Sequence, residues 1–425
     1  MQVYEKLMQG SRLDTDLRME RVAQRIQALS EIGTTPGQGA TRIGYSPEDR
    51  TAKELLKSWM REAGLNVRED AVGNLFGTYA GTEPQLPSVL SGSHIDTVPN
   101  GGHFDGVVGV ISALEVAASW FEQGFVPRRS LEVAAFADEE GSRFHASLTG
   151  SHFLMGELDL QSVAHYRDDE GRSFDQVLRE HGLDPAESEE AARDPQTIHA
   201  FVEVHIEQGE VLEKRQLPVG VVSGIAGPAW LEIKWRGKAA HAGTTPMGMR
   251  LDALIGASEC IVAIEKLPAL YSPTAVATVG KMDISPNGSN VVPGEVSFIV
   301  DVRDIDLDSR DKLIEAILHE AGAIAARRGL DVTSELKIRI APTSMSPRLI
   351  GIVEEAIEQT GCPPFKLTSG AGHDAMVIGR HVPTVMIFVR CLEGISHNPK
   401  EWAALDDIAV GVQVLDATLR RLANE

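Results

Sequence analysis

What this chain lacks narrows its function before any motif is read. Aromatic residues make up only 5% of its 425 residues, so Ala, Val, Leu and Ile must fill most of the interior. Positive charge is in deficit: 40 Lys and Arg stand against 61 Asp and Glu, a formal charge of −21. That balance argues against a nucleic-acid or anionic-membrane partner. No apolar run approaches the roughly 18 residues of a membrane span. The opening stretch, MQVYEKLMQGSRLDTDLRMERVAQ, has neither the apolar segment nor the small-residue cleavage site of a secretory leader. The three cysteines, Cys260, Cys362 and Cys391, are far apart and form no C-x-x-C pair. Reduced thiols in a cytoplasmic protein are therefore expected.

What is present suggests two domains, since the chain exceeds the usual size of one. Ser46-Pro47-Glu48-Asp49 reads as a helix start, with an N-cap serine, proline at the first helical position and acids in the first turn. The apolar runs PSVLSGS (87–93) and SLEVAAFA (130–137) flank the helical stretch VVGVISALEVAASWFEQG. That strand–helix–strand order predicts a buried, mainly parallel sheet. The polar stretch 157–198 reads as surface helices and loops. From Leu231 the pattern changes to alternating strands (LEIKWRG, 276–283, 295–303, SELKIRI) interleaved with two helices, the split βαββαβ order. An α/β domain built from 1–221 and 342–425, interrupted by an α+β unit over 222–341, is the simplest arrangement.

Four clusters carry chemistry. SGSHIDTVPNGGHFDG sets His94 and Asp96 just after a strand, with Asp105 in a glycine-rich loop. DEEG sets Asp138, Glu139 and Glu140 after the next strand, where neighbouring carboxylates repel unless a cation lies among them. FVEVHIEQGEVLE supplies His205, Glu207 and Gln208, and GISHNPKEW places His397 in a tight turn. Functional groups of α/β sheets collect beyond the carboxyl ends of strands. A lone histidine is more often a satisfied core or surface residue than a ligand, but four such clusters in one domain predict a metal centre. Asp96, two positions from His94, is placed to hold the other ring nitrogen.

These segments, with GKAAHAGTTPMGMRLDA, PNGSNVVPGEV, DVRD and SGAGHDAM, resemble in order the hydantoinase/carbamoylase amidases, a branch of the di-zinc aminoacylase and carboxypeptidase-G-like superfamily. The resemblance implies a mixed, mainly parallel catalytic sheet with an inserted ferredoxin-like dimerisation/lid domain, and a homodimer. It implies two divalent ions (zinc, or manganese, cobalt or nickel), one on His94, Asp105 and His205 and the other on Asp105, Glu140 and His397. Glu139 would be the general base. His241 would polarise the substrate carbonyl from the other subunit, and Arg303 would pair with the substrate carboxylate. Gln208, Asn290 and Gly372 match other substrate-binding positions. Histidine at 205, where peptidase branches usually carry a carboxylate, points to cleavage of a ureido group in a small carboxylate substrate. N-carbamoyl-L-amino acids are the leading expectation, with allantoate and N-carbamoyl-β-alanine as alternatives and aminoacylase or dipeptidase activity behind them. A non-catalytic binding protein is disfavoured by the intact Glu139. One departure is Arg390-Cys391-Leu392-Glu393 before the His397 turn, where many relatives carry proline and small residues; a cation there could meet a second anionic substrate group or face solvent.

Overall fold

The computed structural model describes residues 3–8, 18–34 and 39–425. The chain divides into two compact units, Met1–Ser223 with Met345–Glu425, and Gly224–Ser344. The fold is mixed α/β around one large sheet.

In chain order the first unit contributes β1 (Asn66–Glu69), β2 (Leu75–Tyr79), β3 (Ser88–His94), β4 (Leu131–Phe136), β5 (Ile198–Ile206) and β6 (Val219–Ile225). The second contains β7 (Gly227–Arg236), β8 (Ala240–His241), β9 (Val276–Ser285), β10 (Val291–Val292), β11 (Glu295–Asp304), β12 (Asp331–Arg339) and β13 (Thr343–Ser344). The chain then adds β14 (Lys366–Ser369) and β15 (Thr384–Val389). The large sheet runs β1-β2-β4-β3-β5-β15-β6-β13, with β14 paired to β6.

The four central strands, β4-β3-β5-β15, pair in parallel. The flanking pairs β1–β2, β2–β4, β15–β6 and β6–β13 are antiparallel, so the sheet is mixed, as expected. The outermost strands β1 and β13 are short and carry no apolar run, so the sequence pattern favoured the centre. Strands β3, β4 and β15 are buried along their whole length, as a sheet covered on both faces requires. The apolar helix Val107–Gln123, buried from Val107 to Trp120, packs on that sheet. β5 departs from its alternating appearance: seven consecutive residues are buried, including Glu203. That carboxylate accepts hydrogen bonds from Ser93 Oγ (2.7 Å) and the Ala375 amide (2.9 Å), which offsets its desolvation. The helix opened by Ser46 runs Pro47–Glu62, with the serine hydroxyl accepting from Asp49 N. The stretch expected to be only surface buries Val163, Phe174, Val177, Leu178 and Ala191 in a small cluster with Tyr45, Val72, Phe144 and Phe153.

The second unit is a four-stranded antiparallel sheet in the order β12-β7-β11-β9. Helices Ala253–Ile264 and Leu307–Arg328 pack against it through Trp235, Phe298, Leu313 and Ile317. The longer helix ends at Gly329 in the left-handed region (φ 66°).

Arg42 fixes the exit of β3 toward the functional loops. Its side chain, only 1% exposed, donates to the carbonyls of Ile95 (2.8 Å), Leu29 (2.9 Å) and Ile32 (3.1 Å). Arg42→Met is expected to leave those carbonyls unpaired and lower the unfolding free energy by about 3 kcal/mol or more, readable by urea denaturation. A change below about 0.5 kcal/mol would show that Arg42 is not part of the scaffold.

Candidate metal centre

Each candidate ligand leaves the carboxyl end of a central parallel strand or the loop beyond it. His94 ends β3, His205 lies one residue before the end of β5, and Glu139 and Glu140 follow β4. His397 sits between β15 and the C-terminal helix Leu405–Ala423. Asp105 lies in the loop that opens the helix Val107–Gln123.

Asp105 is the meeting point. Its Oδ1 lies 3.3 Å from His94 Nε2 and 3.1 Å from His205 Nε2. Its Oδ2 lies 3.5 Å from His397 Nε2, which is itself 3.4 Å from Glu140 Oε2. Two groups of ligand atoms therefore converge, His94/Asp105/His205 and Asp105/Glu140/His397, each within 4.8 Å. Glu139 Oε2 lies 3.6 Å from His94 Nε2, close to the first group.

The imidazoles are oriented from behind. His94 Nδ1 is 3.0 Å from the Asp96 main-chain carbonyl and His205 Nδ1 is 2.9 Å from the Ile206 carbonyl. The near partner of His94 is thus the backbone of Asp96, its carboxylate lying at 3.7 Å. That carboxylate does something the sequence did not reveal: it accepts the amides of Glu139 (3.2 Å) and Glu140 (3.1 Å) and so sets the acidic turn. Gly106 (φ 64°) is demanded by space, because a Cβ there would lie 2.4 Å from His94 Nε2.

Backbone strain gathers here. Asp138 (φ 52°), Leu148 (φ 62°), Gln208 (φ 56°) and His397 (φ 53°) hold left-handed conformations that non-glycine residues rarely adopt. Burial also loads the site with carboxyl groups that resist ionising. Burial, with the charge of Asp105, raises Glu140 to about 8. Burial, against the pull of His94, holds Glu139 well above the usual range. Burial would raise Asp105 as well, yet His205 and His94 hold it well below. Such groups compete for protons and become ligands once deprotonated, and nitrogen and carboxylate donors in two tight groups fit divalent cations.

A cavity of ≈ 210 Å³ is lined by Asp105, Glu139, Glu140, His205, Gln208, Gly372, His373 and His397, with Leu148 and Ala371 as apolar walls. A larger one, ≈ 480 Å³, lies among Tyr45, Arg50, Arg143, Arg172 and His181 and contains none of the convergent ligand atoms. The convergent donor atoms lie in the smaller. Gln208 Nε2 donates to Asp105 Oδ2 (2.7 Å). Glu207 is no ligand: its carboxylate accepts the amides of Val211 (2.8 Å) and Leu212 (2.9 Å).

His241, Asn290 and Arg303 belong to the second unit. His241, paired to Val291 across β8–β10, accepts from the Gly243 (3.1 Å) and Thr244 (3.2 Å) amides at Nδ1. The Asn290 carbonyl accepts from Ala242 N (2.9 Å). Arg303 on β11 forms a fork with Asp301 (3.0 and 2.7 Å). Arg390, its side chain one-third exposed, pairs bidentately with Asp407 (2.9 and 2.8 Å). Sequence reasoning passed over Ser396 and Glu401, which flank His397 and touch the Asp105 loop. The available signal was two polar residues bracketing a candidate ligand in one tight turn.

Comparison with known proteins follows the same lines. Residues 90–421 match peptidase family M20/M25/M40. The chain is 45% identical over 404 residues to an N-carbamoyl-L-amino acid amidohydrolase of Geobacillus stearothermophilus, covering 95% of this chain and 98% of that one. It is 37% identical over 406 residues to an allantoate amidohydrolase of Escherichia coli (strain K12), covering 95% and 98%. A crystal structure of a hydantoinase/carbamoylase family amidase from Burkholderia multivorans superposes with a TM-score of 0.90 at 35% identity, over 96% of this chain and 98% of that chain. With the convergent His, Asp and Glu side chains at the strand ends, these similarities make the chain a member of the M20/M25/M40 peptidase family.

Proposed function

We propose that this chain is a metal-dependent amidohydrolase that cleaves the ureido C–N bond of N-carbamoyl-L-amino acids, releasing ammonia, CO2 and the free amino acid. The observation that carries this reading is the convergence of two imidazoles on one oxygen of Asp105 and of His397 on the other, with Glu139 alongside. His94, Asp105 and His205 would hold one divalent ion, and Asp105, Glu140 and His397 a second, with zinc, manganese, cobalt or nickel all compatible. When bound, such a pair acidifies water and polarises the carbonyl.

The chain's own groups do the rest. Glu139 accepts a proton from the attacking water at its carboxylate and returns it to the leaving nitrogen, as base and then acid. Asp96 keeps the Glu139 turn in register through the two backbone amides. Gln208 and Gly372 line the cavity, where they would meet the substrate. Following the family resemblance, His241 assists the carbonyl from a neighbouring subunit, and Asn290 and Arg303 bind the substrate. The guanidinium fork of Arg303 matches a carboxylate, and Asp301 now occupies that fork, so substrate must share or displace it. Residues 222–341 act as a dimerisation and lid domain between catalytic segments 1–221 and 342–425 in a homodimer. In support, the second unit exposes Val262 (55%) and Leu270 (76%). The free thiols Cys260, Cys362 and Cys391 fit a reducing, cytoplasmic compartment.

Three measurements bear on this. Chelated protein, re-metallated ion by ion, is expected to release ammonia from N-carbamoyl-L-amino acids faster than from allantoate or N-carbamoyl-β-alanine. Release of amine from acyl substrates, with no ammonia from any ureido compound, would sink the reading. Glu139→Gln is expected to lower kcat by about 10²–10⁴-fold while metal content is retained; undiminished turnover would make the site a binding site only. Arg303→Lys is expected to cost about 10–100-fold in kcat/KM with carboxylate substrates and little with their carboxamides, the loss of a charged fork being worth about 1.5–3 kcal/mol. An equal loss on both classes would remove Arg303 from carboxylate recognition.

A further inference from the structure

The two candidate ligand groups share Asp105, and a chain of hydrogen bonds ties that residue to the loop carrying His397. Glu401, 2% exposed, is its centre. Its Oε1 accepts from the amides of Phe104 (2.8 Å) and Asp105 (3.0 Å). Its Oε2 lies 2.9 Å from Ser396 Oγ, and the same hydroxyl is 2.7 Å from Asp105 Oδ2. Gln208 Nε2 closes the ring, donating to Asp105 Oδ2 (2.7 Å) and to Ser396 Oγ (3.1 Å). The fit is tight: a Cβ on Gly102 would lie 2.0 Å from Glu401 Oε1, so glycine there lets the carboxylate reach the loop.

This bridge acts unequally on the two groups. His94 and His205 are fully buried side chains on strands, each with its Nδ1 held by a main-chain carbonyl. His397 has half of its side chain exposed, on a loop residue with positive φ. Its placement relative to Asp105 Oδ2 therefore depends on whatever holds the neighbouring Ser396. We propose that Glu401, acting through Ser396, is a positioning residue that holds Asp105 and the His397 loop in one register. The Asp105/Glu140/His397 group is then competent to bind an ion only while the bridge is intact. This rests on the metal reading above.

The test uses the full chain, stripped of metal and titrated with Zn²⁺ or Mn²⁺ against a chelator of known affinity, alongside thermal melting of the stripped protein. The parent is expected to bind two ions. Ser396→Ala and Glu401→Ala are expected to weaken one ion by about 10–100-fold and leave the other within about threefold, the range typical when a partner of a metal ligand is removed. Glu401→Gln, which keeps an oxygen for the two amides and a polar atom for Ser396, is expected to recover most of that affinity. Excess metal should restore kcat in Ser396→Ala without altering KM. If Glu401→Ala fails to fold, Ser396→Ala alone decides. Two ions bound in every variant as in the parent, or both weakened equally, would overturn the positioning role. A parent that takes up fewer than two ions would instead overturn the metal reading on which it depends.

Discussion

The structure depends on one arrangement, a buried carboxylate with imidazole nitrogens gathered at both of its oxygens. Burying Asp105 beside Glu139 and Glu140 is unfavourable unless positive charge is delivered to the same few ångströms. His94 and His205 aim their Nε2 atoms at one oxygen and His397 approaches the other, a donor set that suits a cation held among them. Burial, the first cause of the raised pKa values of Glu139 and Glu140, also makes a cation valuable there, since little solvent competes for it.

Much of the scaffold serves that point. Four parallel strands bring their carboxyl ends together, which is where loops can present side chains without breaking the sheet's own hydrogen bonds. Arg42 ties down the exit of β3, and the Asp96 carboxylate ties down the exit of β4 by capping Glu139 and Glu140. Glycines at 102 and 106 let a carboxylate and an imidazole come closer to the main chain than any other residue would allow. The strained backbones of Asp138, Leu148, Gln208 and His397 fit the same economy, since strain persists only where surrounding contacts over-determine it.

Charge pairing also shows what the site does not use. Arg390, the feature that set this chain apart from many relatives, is consumed by Asp407. Arg303 makes a similar fork with Asp301, and the two pairs differ in the partner: Asp301 is 27% exposed and Asp407 7%.

The sequence alone determined the central strands, their helices and the candidate ligands. Apolar runs at 87–93 and 130–137 and histidine–acid clusters behind them are local patterns, and local patterns survive in one dimension. Motif order added which cluster pairs with which and separated Glu139 from Glu140. The antiparallel flanks escaped because β1 and β2 are short and unremarkable in composition, and register with β4 exists only in the folded sheet. Only the tertiary structure decided the partners: the Asp96 carboxylate on two amides, Glu207 on a short helix, Arg390 on Asp407, and Glu401 beneath Asp105. Those contacts join residues up to 297 positions apart. A hydrogen bond depends on distance and angle in space, and no pattern of neighbours along the chain encodes it.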